Sequence, residues 1–273
     1  MAKSLHGRFL ALAFVVAAAG LVGGRPAAAE AVAAVSPALA QLHLVEPVRR
    51  PPRLDRGTVE LLWRRLAGHA APAPDVLAAI AEAAAETGTD FGLLMALAWK
   101  ESLFRPEARA ATSSARGLYQ FIDSTWDAAW RRHAEGLGLR APPERVRELR
   151  HEPRTAALLA AAELQHNGRE LARRLGRPVP QTESFLTHFL GLEGAERFLR
   201  ALRETPMRDV REVVPAAFAN NRARFPPLRE GRVTVAAAHR HLLEIIETRR
   251  GLYVHLARLL VMSSLEELAE FGR

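Results

Sequence analysis

The chain has 273 residues, 49% of them hydrophobic, and carries 38 Lys and Arg against 30 Asp and Glu, a formal net charge of +8. That length and apolar content exclude wholesale disorder and allow one sizeable core with appendages. The absence of cysteine excludes a lipoprotein anchor, a disulfide and a thiol catalyst, and the abundance of Ala, Leu, Glu and Arg over Ile and Tyr favours helices over sheets.

Lys3 and Arg8 precede an apolar run from Phe9 to Val22, and Ala27-Ala28-Ala29 offers a small-residue cleavage site, so residues 1–29 read as a secretory signal. The alternative, an uncleaved anchor, is disfavoured because the run is short for a bilayer span, and no later stretch is apolar enough for one. The expected destination is the periplasm, with no integral membrane segment after cleavage. Losing Lys3, Arg8 and Arg25 leaves the mature chain basic. A basic surface suits an anionic polymer, but nucleic acid is disfavoured, because the arginines are scattered among acids along helices and form no stripe. Lysine occurs only at Lys3 and Lys100, and a coding bias toward arginine explains the surplus equally well.

Residues 30–56, rich in Ala, Pro and Val, read as a leader, with order beginning near Thr58. A helix is expected after Pro72-Ala73-Pro74, capped by Asp75 and ended by Gly88. A second, capped by Asp90, is expected to end at Pro106. Ser124-Thr125-Trp126-Asp127 has the spacing of a capping box, which makes the preceding Gly117–Phe121 stretch a loop. Ala157, Ala161, Leu164, Gly168, Leu171 and Leu175 recur at steps of four and three, one face of a long scaffold helix. A shorter helix from Glu183 to Leu190 stops at Gly191. Beyond a turn at Pro226-Pro227, two helices are expected near Ala236 to Arg249 and Leu252 to Met262. The apolar face of the last one, Leu252, Leu256, Leu259, Leu260 and Met262, suits packing on the chain's own core better than a partner.

From Phe91 to Trp99 every residue is apolar or glycine, so this helix has no solvent face. A carboxylate at its end, Glu101, meets a partly dry environment, where desolvation raises a carboxyl pKa and lets it act as a general acid.

Glu101-Ser102, Phe104, Pro106, Ala108, then Gly117-Leu118-Tyr119-Gln120-Phe121 and Thr125-Trp126 follow one another in the order and spacing of a known catalytic block. In this the chain resembles the Slt-type lytic transglycosylases, most clearly over residues 75 to 130 and more loosely, through Thr187–Gly191, Gly194-Ala195 and Ala219-Asn220, to about 225. The resemblance implies a mainly α, lysozyme-like catalytic domain over 57–225, followed by a helical extension over 226–273. It also implies cleavage of the β-1,4 bond between N-acetylmuramic acid and N-acetylglucosamine in peptidoglycan glycan strands. Glu101 would protonate the leaving oxygen and then accept the proton of the muramic C6 hydroxyl, giving a 1,6-anhydro product without cofactor. Ser102 would help to place Glu101 and the substrate, its bland alternative being a helix-ending hydroxyl. Gly117, Leu118, Tyr119, Gln120 and Phe121 would line the cleft, Gln120 through its amide and the aromatics through their rings. Taken alone, Leu118, Tyr119 and Phe121 suit core packing better.

The chain departs from the family at Thr187-His188-Phe189-Leu190-Gly191. Many members carry Ala-Tyr-Asn-Ala-Gly there, with the Tyr bonded to the catalytic carboxyl, so His188 falls at that Tyr and Phe189 beside it. An imidazole can donate the same bond, although an imidazolium would depress the Glu101 pKa where a phenol would not. The ten histidines show no metal-ligand spacing. Two alternatives stand beside the transglycosylase. One is a lysozyme-type hydrolase drawing a second carboxylate from Asp90, Glu107, Asp123 or Asp127. The other is a non-catalytic wall-binding protein docked onto an envelope-spanning machine.

Overall fold

An apolar helix without a polar side has to be enclosed, and the surrounding helices are arranged to do that. The computed structural model describes residues 56–271 apart from 70, 223, 224 and 228–230, and gives no side chains for 56 and 262–271. The expected signal over 1–29 and the leader up to residue 55 lie outside the described residues. The elements are α1 (Arg56–Ala67), α2 (Pro74–Thr87), α3 (Phe91–Ser102), α4 (Asp123–His133), α5 (Pro153–Leu175), α6 (Gln181–Ser184), α7 (Leu186–Glu204), α8 (Val210–Val213), α9 (Pro215–Asn220) and α10 (Val235–Phe271), with two 3₁₀ turns at Pro143–Arg145 and Glu148–His151. The architecture is mainly helical. Among the described residues the only β-type pairing is three isolated bridges.

Leu93 to Ala98 of α3 are at most 1% exposed, packed between α2, α5 and α10. Asp90 caps α3 as expected, accepting from the Leu93 N–H at 2.8 Å. Arg250 of α10 then grips the same carboxylate twice, at 2.9 and 2.7 Å. Gly92 is dictated by this crossing: a Cβ there would stand 2.7 to 2.8 Å from atoms of Arg250 and Val254. Around the same crossing, Tyr253 of α10 stacks on Trp63 of α1 (6.0 Å between centroids), meets Phe104 edge-on (5.5 Å) and is bonded to His69 Nε2 at 2.9 Å. The last helix is thereby built into the core beneath α3.

Several local expectations are corrected. Asp75 sits in the first turn of α2 behind Pro74, and the cap position is Ala73, because proline at the first helical position already removes one orphan N–H. Gly88 ends α2 in the left-handed conformation, as expected. Pro106 does not stop α3; the helix ends at Ser102 because Leu103 (φ 54) and Phe104 (φ 61) turn left-handed. The capping box at Ser124 is not formed. Helix α4 starts at Asp123 with Ile122 at the cap, and Asp123 instead pairs with Arg147 and Arg150 at 3.0 and 2.7 Å. The two expected C-terminal helices are one, α10, running through Gly251, where the cost of a helical glycine, about 1 kcal/mol, is too small to break a helix held by buried residues on either side of it, Leu242 and Ile246 before and Tyr253, Leu256 and Val261 after. No helix of the described residues is long and apolar enough to cross a membrane.

Candidate active site

Glu101 lies in the last turn of α3 with its side chain only 7% exposed. The facing element is built by its own polar residues. The Ser184 hydroxyl donates to Gln181 O at 2.6 Å and the Thr187 hydroxyl to Ser184 O at 2.7 Å, while Phe185 and Leu186 are fully buried anchors. That leaves His188 projecting from the first turn of α7, and Gly191 (φ 68, ψ 167) breaks the helix just beyond it. His188 Nε2 stands 3.6 Å from Glu101 Oε1, with its side chain 25% exposed at the rim of the site. Lys100 fastens the two walls together, its ammonium lying 4.7 Å from the Phe185 ring and 5.6 Å from that of half-buried Phe189. Phe189 continues into an aromatic row through Phe225, at 6.0 Å, to Phe218, a further 5.0 Å on.

Ser102 is 3% exposed, and its hydroxyl donates to Ala98 O (3.0 Å) and accepts from the Arg105 N–H (3.2 Å). It shapes the end of α3 and does not face a ligand, which is the helix-ending alternative. Leu118 and Tyr119, at 0% and 1% exposed, are core residues, and Phe121 packs edge-on against Trp126 at 5.5 Å. These rings therefore have no face to offer a sugar. Among the described residues the buried Tyr119 hydroxyl has no hydrogen-bond partner, and burial pushes its pKa far above the ordinary phenol value.

Gln120 is held differently. Its backbone is left-handed (φ 50), and Nε2 donates to Gly117 O at 2.9 Å and Ala108 O at 3.3 Å, so the amide nitrogen closes the loop. Gly117 (φ 75) is required by a close approach, since a Cβ there would run into the Arg150 carbonyl oxygen. Of the four candidate second carboxylates, Asp90 is held by Arg250, Asp127 by Arg147, and Asp123 by Arg147 and Arg150; Glu107 is exposed. Among the described residues no group of three His, Cys, Asp or Glu side chains could hold a metal ion.

Sequence reasoning missed Arg150 and His151. His151 Nδ1 is bonded to Pro106 O at 2.9 Å, and Arg150 reaches the far side of the Gln120 loop. No local pattern marks either residue, because both act across folds of the chain.

With this geometry in place, comparison with protein families finds that residues 78–179 match the family model described as Transglycosylase SLT domain. The matched stretch holds most of α2 and all of α3 to α5, with Glu101 and the Gln120 loop; His188, Phe189 and α10 lie beyond it.

Proposed function

We propose that the chain, whose residues 78–179 match the Transglycosylase SLT domain model, is a lytic transglycosylase acting on peptidoglycan glycan strands, with Glu101 as its general acid and then its general base. On this reading Glu101 protonates the oxygen leaving N-acetylmuramic acid, the C6 hydroxyl of the same sugar attacks C1, and the proton of that hydroxyl returns to Glu101. Breaking the glycosidic C–O bond and forming the anhydro C–O bond balance without water. The observation that carries the reading is the nearly enclosed Glu101 carboxyl facing the His188 imidazole at 3.6 Å.

The enclosure keeps bulk solvent from the carboxyl, and the imidazole supplies a polar contact beside it. Hydrolysis by a pair of carboxylates is disfavoured, because Asp90, Asp123 and Asp127 are each committed to arginines. Export by residues 1–29 would bring the basic mature chain to the periplasm, where the wall's stem-peptide carboxylates complement its charge.

The test is release of soluble fragments from purified sacculi. Glu101→Gln is expected to lower the rate by at least about 100-fold with the fold intact. His188→Tyr is expected to stay active and His188→Ala to lose most activity; an unimpaired His188→Ala protein would remove the imidazole from the mechanism.

A further inference from the structure

Arg150 is an arginine whose side chain is 8% exposed, 49 positions beyond Glu101 in the sequence. Its Nη1 donates to Ser114 O at 2.9 Å and Phe121 O at 3.1 Å and pairs with Asp123 Oδ1 at 2.7 Å, while Nε donates to Arg147 O at 3.0 Å. Ser114 and Phe121 are the two ends of the loop that carries Gln120. The Arg150 carbonyl lies against the Cα of Gly117, in the middle of the same loop, so close that no Cβ fits.

One residue therefore holds this loop at both ends and at its centre. A buried guanidinium needs partners for its buried donors, and here Nη1 is shared among two loop carbonyls and the Asp123 carboxylate while Nε is taken by Arg147 O. The loop has reason to need such a brace: Gln120 sits in a left-handed conformation that a residue with a side chain rarely adopts, and strain of this kind persists only where the surroundings over-determine it.

We propose that Arg150, paired with Asp123, is a positioning residue: it presets the Gln120 loop so that the Gln120 carbonyl end meets the amide-bearing glycan already aligned with Glu101. The inference rests on the glycan-cleaving reading above. Lysine is not equivalent to the arginine, because it loses the separate Nε bond to Arg147 O and the planar fork that holds Nη1 between Ser114, Phe121 and Asp123.

The experiment uses the full chain with soluble glycan fragments prepared from sacculi, alongside amide hydrogen exchange. Arg150→Lys is expected to raise KM about tenfold with kcat little changed, as misplacement of a binding group does. Exchange should quicken over 114–121 while α3 and α10 keep their protection. In a Gln120→Ala background the same substitution should change KM less than twofold, because its effect passes through Gln120. Asp123→Asn gives the same pattern in milder form and serves if Arg150→Lys fails to fold. Unchanged KM with unchanged exchange, or an effect that adds in full to Gln120→Ala, would overturn the proposal. If the wild-type protein cleaves no glycan, the functional reading has failed; the exchange arm then still decides the brace, loosening confined to 114–121 upholding it and unchanged exchange sinking it.

Discussion

Tyr119 shows how a residue inside the matched stretch can serve the scaffold. Its ring fills the core, yet its hydroxyl has no partner among the described residues, and a buried unsatisfied hydroxyl costs about 1–3 kcal/mol. Tyr119→Phe is therefore expected to stabilise the protein by about 1 kcal/mol in chemical denaturation and to leave activity on sacculi unchanged. A loss of activity would show that the hydroxyl meets the substrate after all. His188 was legible only through the resemblance, because it falls where many members of that family carry the Tyr bonded to the catalytic carboxyl. Arg150 was not, since its partners at Ser114, Phe121 and Asp123 lie 36, 29 and 27 residues away and no periodicity links them.

The elements divide along the same line. Helix α3 was legible because an unbroken apolar stretch after Asp90 admits only a buried helix, and the Asp90 cap followed from short-range chemistry. What sequence reasoning misplaced was decided by contacts between elements: Asp123 went to Arg150, so the Ser124 box was not needed, and α10 stayed whole across Gly251 because its packing outweighs one glycine. A pH-sensitive link joins α10 to the segment bearing His188. Glu183 of α6 faces the His239 imidazole of α10 at 3.7 Å, too long for a hydrogen bond, and accepts a hydrogen bond from Arg177 at 2.9 Å; these two neighbours, His239 first, hold its carboxyl below the ordinary value. A carboxyl whose pKa is lower folded than unfolded contributes stability above the ordinary carboxyl range, and that contribution is lost as pH falls through the folded value. Glu183→Gln is accordingly expected to lower Tm at pH 7 and to match the parent protein once both are well below pH 4.5. A Tm gap that persists unchanged into acid would show that packing, and not charge, links α6 to α10.

At the scale of the molecule, the last helix packs into the same helical core as the matched stretch although it lies outside it. Deleting the chain from Arg250 onward removes the Asp90 clamp together with Tyr253, Leu256, Ala257 and Val261, each at most 2% exposed. At about 1.5–3 kcal/mol for each large apolar side chain, the loss approaches the whole stability of a domain, about 5–15 kcal/mol. The truncated protein is expected to lose its cooperative thermal transition in circular dichroism; a folded, active truncation would free α10 for a partner. The general architecture was readable from composition and the helical repeat. The seating of α10 beneath α3 was not, because Gly92 reveals its purpose only when Arg250 and Val254 stand against it.

The measurement that bears most directly on the central claim is mass spectrometry of the muropeptides released from purified sacculi by the mature protein, with Glu101→Gln beside it. The account predicts 1,6-anhydromuramyl ends, one water lighter than reducing ends, and none from the variant. Reducing ends would contradict it by showing that water, and not the C6 hydroxyl, attacks the sugar.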